Sequence, residues 1–354
     1  MQNHRFYGVV ILFSAVFLIS LLQARAAVGD TFNDGKFEYT ILTEGDTTGS
    51  VSVSRMKNDD PWGGAVIPSL VTSGERSYCV ISIADRAFMF CNGLTSITIP
   101  DDVTTIGEYA FGECSSLTSI RLPDKVTTMG KGAFSGCGGL TSIEIPEGVA
   151  TIGECVFSDC RSLKDICVSP ANKSFISVEG VLFDKNKSIL ISYPAEGDSR
   201  YRIPDGVTSI AGGSFYACDI LTSLVIPNSV VSIGAGAFSG CHSLTSLEVP
   251  AGVVSIGAGA FSNCSSLTSI VIPDSVTTIG DKMFSNCSSL TSIVIPEGVT
   301  KIGNEAFSNC SSLTSIVIPE SVTTIGKDTF GECSSLGSID VSPENEVYSS
   351  YEGV

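Results

Sequence analysis

Histidine is almost missing from this chain: among 354 residues there are two, His4 and His242. A Ser-His-Asp or Cys-His catalytic site would have to be built on one of them, and no G-x-S-x-G accompanies either. Paired C-x-x-C ligands are absent too, which with so little histidine leaves no zinc set. There is no G-x-x-x-x-G-K-[ST] phosphate loop. Basic charge is also short, with 20 Lys and Arg against 37 Asp and Glu and a net charge of −17. Binding of nucleic acid rests on neutralising phosphates with Lys and Arg, so this balance argues against it. These gaps argue against an enzyme, against a resident metal or cofactor and against a nucleic-acid partner.

Long apolar runs are equally scarce. The one present is Phe6 to Leu22, FYGVVILFSAVFLISLL, preceded by Arg5 and followed by QARAA with Ala24 and Ala26 in an A-x-A arrangement. That order predicts a secretory signal peptide over 1–26, cleaved after Ala26. The run is slightly short for a membrane span, and the small-residue exit favours cleavage over an anchor. No second run is long enough to cross a bilayer, so no transmembrane segment is expected after cleavage.

What is present is a repeat. Cys91, Cys114, Cys137 and Cys160 are each 23 residues apart, as are Cys218, Cys241, Cys264, Cys287, Cys310 and Cys333. Between them runs C-x-x-L-T-S-I-x-I-P-x-x-V-T-x-I-G-x-x-A-F-x-x-C. A fixed period of this length signals a solenoid whose turns pack on their neighbours. L-T-S-I-x-I alternates as a short strand, and Pro ends it because it cannot donate to a ladder. V-T-x-I is a second short strand, and the Gly after it allows a backbone bend. A-F-x-x-C is a tight turn or a single helical turn that drops Phe and Cys inward. The expected fold is therefore a β-rich, right-handed solenoid, with ten Phe from Phe88 to Phe330 in one internal column. Ten turns at about 4.8 Å make a rod of about 45–50 Å.

LTSIVIPEGVTKIGNEAFSNC at 290–310 carries L-x-x-I-x-I-P, V-x-x-I-G and A-F-x-x-C. In these elements the chain resembles the BspA-like leucine-rich repeat family, from about Val66 onward. VGDTFNDGKFEYTIL at 28–42 looks like the β-hairpin region that often precedes such repeats, so 27–65 is expected to be an N-terminal β cap and 66–354 the solenoid. The segment 66–91 is an irregular first turn, as terminal repeats are. Between Cys160 and Cys218 the spacing is 58 residues. FISVEGVLFD and SILISYP there alternate like strands around a DKNK turn, a hairpin insertion at about 167–203 of a kind that also occurs in the family. SIDVSPENEVYSSYEGV at the end repeats DICVSPANKSFISVEGV, mapping Glu179-Gly180-Val181 onto Glu352-Gly353-Val354. The chain thus reads as stopping mid-motif, with an anchor or further domain expected beyond it.

Three groups could carry chemistry. A secreted chain with 13 cysteines invites disulfides, but ladder cysteines would point in parallel and suit buried thiols; Cys79, Cys155 and Cys167 lie off the ruler, and Cys155 could bridge locally. Asp101, Asp124, Glu147, Asp205, Asp274, Glu297 and Glu320 follow the strand Pro, one per turn. They form a solvated ridge, with weak calcium binding or a carboxylate pair as the alternatives. The x of L-T-S-I-x-I faces outward and varies: Thr98, Arg121, Glu144, Cys167, Val225, Glu248, Val271, Val294, Val317 and Asp340. Val271, Val294 and Val317 make an exposed stripe and Arg121 with Glu144 a charged patch. Exposed apolar patches mark interaction sites, although Val also simply suits a strand. The ligand-binding face is therefore placed on Arg121, Glu144, Val225, Glu248, Val271, Val294, Val317 and Asp340. The family resemblance implies a secreted or cell-surface adhesin-like protein, with proteins of host matrix or other cell surfaces as partners. The alternatives are a scaffold module of a longer secreted enzyme and a structural surface-layer component.

Overall fold

The structure, a computed structural model, describes residues 27–45, 48–57 and 63–351. The expected signal peptide and Glu352-Gly353-Val354 lie outside the described residues. The chain forms a β-solenoid of about 11 turns of about 23 residues. Each repeat sends one strand into each of two parallel columns. The first column holds the L-T-S-I-x-I strands, among them Ser142–Ile145, Ser223–Val225, Ser246–Glu248, Ser269–Val271, Ser315–Ile318 and Ser338–Val341. Its register is one period, with Leu247 opposite Ile270 and Ile316 opposite Ile339. The second column holds the V-T-x-I strands, from Thr105–Ile106 to Thr324–Ile325, with Ile279 opposite Ile302. Alternation puts the two Ile of each first-column strand inward and the Ser and x outward, and the burial follows that pattern in Ser315–Ile318.

The corner containing A-F-x-x-C is a tight turn; among the described residues no helix occurs, so the helical-turn alternative is not realised. Two positions per corner explain why. The residue before the Ala position and the residue before Cys both take left-handed backbone, for example Glu305 (φ 52°) and Asn309 (φ 60°), or Gly236 (φ 61°) and Gly240 (φ 75°). A left-handed residue breaks a right-handed helical run, and Gly and Asn adopt that conformation most cheaply. The repeat Gly that closes the second strand has another task than bending. A Cβ on Gly303 would lie 2.5 Å from the Asp281 amide nitrogen, and one on Gly234 2.3 Å from that of Gly212. Neither glycine has positive φ, so the side chain is excluded by close stacking of successive turns.

The phenylalanines stack, but in two runs and not in one column. Phe88, Phe111, Phe134 and Phe157 follow one another with ring centroids 5.1–5.9 Å apart. A second run extends from Phe215 to Phe330 at 5.2–5.7 Å, and Tyr193 opens it by stacking on Phe215 at 4.9 Å. The break lies where the period breaks, and the buried core divides there into two clusters. Phe175–Val178, Val181–Asp184 and Ile189–Ser192 form an antiparallel meander at this point, and Ile189–Ser192 rejoins the second column beside Ser209–Ile210. At the other end Thr31–Asn33, Phe37–Thr43 and Thr48–Met56 form an antiparallel sheet. Thr48–Met56 pairs in parallel with Arg76–Ile83, which starts the second column by pairing with Thr105–Ile106.

The ladder cysteines are free thiols, and those from Cys114 to Cys333 are each aimed at a backbone carbonyl on the preceding turn: Cys264 Sγ donates to the Phe238 carbonyl at 3.2 Å and Cys287 to that of Phe261 at 3.1 Å. Burial pushes the thiols up, those of Cys264 and Cys310 to about 12. Thr of L-T-S also bonds backward, Thr268 Oγ1 donating to the Thr245 carbonyl at 3.0 Å. The S-P-x-N segments build one structure twice. Asn172 donates to the carbonyls of Pro146 (2.8 Å) and Val149 (3.0 Å) and accepts from the amides of Ser174 and Phe175 (both 2.8 Å). Asn345 does the same with Pro319, Val322, Val347 and Tyr348.

Candidate ligand-binding face

The outward position of the first column sits between two buried residues, so its side chain must stand away from the core. All eight face residues expected from the sequence are exposed. Val225 is 45%, Val271 61%, Val294 80% and Val317 58% accessible. Parallel one-period register lays them side by side. Glu248 stands opposite Val271, Val317 opposite Asp340, and Glu144 opposite Cys167. Residues 292–295, which carry Val294, keep the alternating burial of their neighbours without forming ladder-bonded strand. Val271, Val294 and Val317 are therefore one apolar stripe on three successive turns.

Two further members of the column were not picked out from the sequence. Arg202 pairs in register with Val225, and Val66, 64% accessible, pairs with Thr98. Both carry a legible signal: R-I-P at 202–204 and V-I-P at 66–68 are the x-I-P of the repeat, hidden by Tyr201 and Ala65 where Ile usually stands. Arg202, Val225 and Glu248 line a depression of about 490 Å³ with Pro227 and Pro250. Arg121, Asp124, Glu144 and Glu147 line another of about 610 Å³. The post-proline acids thus border the same face as the x column. Arg121 is held by Asp101 at 3.3 Å and Asp124 at 3.9 Å.

A different edge gathers polar groups that sequence reading treated singly. His242 Nδ1 lies 3.2 Å from Ser265 Oγ, and its Nε2 lies 3.9 Å from Asp219 Oδ1. Asp, His and Ser stand on successive turns, but 3.9 Å exceeds hydrogen-bond reach, and the other Asp219 oxygen pairs with Arg161 at 2.7 Å, so no carboxylate hydrogen bond orients the imidazole. Asn263, Asn286 and Asn309 continue this edge, Asn286 Nδ2 donating to Asn263 Oδ1 at 3.1 Å. The signal was the Asn that precedes Cys in three repeats, a residue the left-handed corner favours. Cys167 is exposed on the first column, and its thiol is pushed up by its hydrogen bond to the Asp165 carboxylate. Among the described residues no group of three or more His, Cys, Asp or Glu is placed to hold a metal, and no helix is long and apolar enough to cross a membrane.

The repeat frame that carries this face matches the model of the BspA type leucine rich repeat region in six copies, over residues 81–194 and 199–313, more than half of the chain. The chain belongs to the BspA-type leucine-rich repeat family. Solved structures agree with that assignment. A leucine-rich repeat protein from Eubacterium ventriosum is 23% identical with a TM-score of 0.62, covering 91% of this chain and 96% of its own. A leucine rich cell surface protein from Faecalibacterium prausnitzii is 28% identical with a TM-score of 0.51, covering 88% and 95%. The pneumococcal vaccine antigen PcpA is 24% identical with a TM-score of 0.55, covering 90% and 89%. No curated protein matches the chain. Family and fold are those of repeat scaffold proteins.

Proposed function

We propose that this BspA-type protein is secreted or surface-exposed and binds other proteins through the outward face of its first strand column, in an adhesive role toward host matrix proteins or other cell surfaces. The carrying observation is the stripe of Val271, Val294 and Val317. Within a repeat whose constant letters are core, corner or cross-turn bonding, three consecutive free positions expose β-branched apolar side chains. Monomeric proteins seldom leave such patches without use, and a solenoid face is extended and stiff enough to hold several modest contacts at once. The similarity to the cell surface protein of F. prausnitzii supports a surface location. In this reading residues 1–26 are removed on export, 27–65 cap the core, and 66–354 form the solenoid with its insertion at about 167–203.

The test is an unbiased pull-down from matrix and cell-surface extracts with the chain from Ala27 onward, beside a variant with Val271→Lys, Val294→Lys and Val317→Lys. The variant is expected to keep its circular dichroism spectrum and lose the captured proteins. Capture of the same set by both chains would show that the binding face lies elsewhere.

A further inference from the structure

Charges along the strand face are met differently at its two ends. Among the early turns Asp101 and Asp124 face Arg121, Asp102 holds Lys125 at 2.6 Å, and Asp205 holds Arg202 at 3.2 Å, while Glu144 and Glu147 form no ion pair among the described residues. On the turns of the valine stripe the acids that follow the strand proline, Asp274, Glu297 and Glu320, are exposed and form no ion pair among the described residues. The column members that end the stripe, Glu248 and Asp340, have none either. The lysines of these turns stand elsewhere. Lys282 and Lys327 are in the corner, paired with Glu305 at 3.4 Å and Asp328 at 3.8 Å, and Lys301 is in the second strand column.

The stripe is therefore bordered by three carboxylates stacked at about 5 Å, one per turn, and closed at each end by another. Like charges at that spacing repel in the free protein, and a cationic partner relieves the repulsion while its apolar side chains cover the valines. We propose that this surface docks an extended, positively charged polypeptide segment in which Lys or Arg alternates with aliphatic residues. The distance from Glu248 to Asp340 is four turns, about 20 Å, which an extended segment of about six residues spans. The inference rests on the strand face being the binding surface, and adds the charge and form of what it takes. Anionic surfaces, nucleic acid and acidic lipid headgroups among them, are repelled by the same row.

The test measures fluorescence anisotropy of labelled synthetic peptides, about eight residues long, against the whole chain from Ala27: one alternating Lys and Val, one Glu and Val, one Ser and Val. The Lys-Val peptide is expected to bind selectively. Its affinity should fall about tenfold between ~50 mM and ~300 mM salt, and about tenfold in the variant Asp274→Asn, Glu297→Gln, Glu320→Gln, because each exposed pair contributes modestly. Lys301→Ala, in the second strand column and off this face, should leave it unchanged. If the Ser-Val or Glu-Val peptide binds as tightly and that binding is lost with Val271→Ser, Val294→Ser and Val317→Ser, the cationic partner is overturned and the strand face stands. If neither the acid variant nor the valine variant alters Lys-Val binding, both the inference and the reading beneath it fail.

Discussion

The side chains that hold the rod together act across one period, and they act through hydrogen bonds as much as through apolar packing. Asn172 is the sharpest case: a nearly inaccessible amide whose four bonds use both its donors and its acceptor. Asn172→Asp removes both donors and sets a carboxylate against two carbonyls, so a loss of about 3 kcal/mol is expected, against about 2 for Asn172→Ala, read from denaturant midpoints. The cysteines allow a pH prediction. Their pKa is higher folded than unfolded, so the stabilisation they contribute is complete below the ordinary thiol pKa near 9 and is lost as pH rises toward about 12 for Cys264 and Cys310. Melting temperature should therefore decline above about pH 9. In native protein a thiol reagent should label Cys167 ahead of the ladder thiols, which become reactive only on unfolding. The spacing of the cysteines told of the ladder. That the ladder thiols from Cys114 to Cys333 have carbonyl partners depends on where the preceding turn's Phe, or Tyr193 for Cys218, lies, which is a contact between turns.

At the scale of one element, the strands were readable from alternation and proline, whereas the corners were not. A-F-x-x-C fits a helical turn as well as a tight one until the two left-handed positions are seen, and Glu305 or Glu332 gives no hint of them. Glu332→Gly, at φ 59°, should raise stability by about 1 kcal/mol by removing the left-handed cost, measured as a higher denaturation midpoint. Gly303→Ala should lower it by about 1–3 kcal/mol, because the new methyl meets the Asp281 backbone at 2.5 Å. A bend alone would tolerate that alanine, so the substitution separates the two roles of this glycine. The same limit applied to the binding face. L-T-S-I-x-I exposed ten members of the column directly, eight of them assigned to the face, while Arg202 and Val66 were masked by a Tyr and an Ala at the preceding inward position.

For the whole molecule, near-neighbour packing implies that a full period is a removable unit. Deleting 288–310 joins Cys287 to Ser311 in register, and should leave a folded rod shortened by about 5 Å in solution scattering, with one cooperative melt. Deleting about half of that stretch throws Phe and Cys out of their columns and should abolish the melt. The sequence by itself determined the period, the strands and which positions face outward, because a repeat that buries the same letters every 23 residues has few other ways to stack. Only the tertiary structure decided that the phenylalanines form two runs, with Tyr193 opening the second. It also decided that the corners are left-handed turns and that, among the described residues, Asp274, Glu297 and Glu320 form no ion pair beside the valines, while Asp101, Asp124 and Asp205 on earlier turns do and Glu147 does not. Those outcomes depend on which side chains of different turns come within reach, and reach between turns is a property of the stack and not of any one repeat.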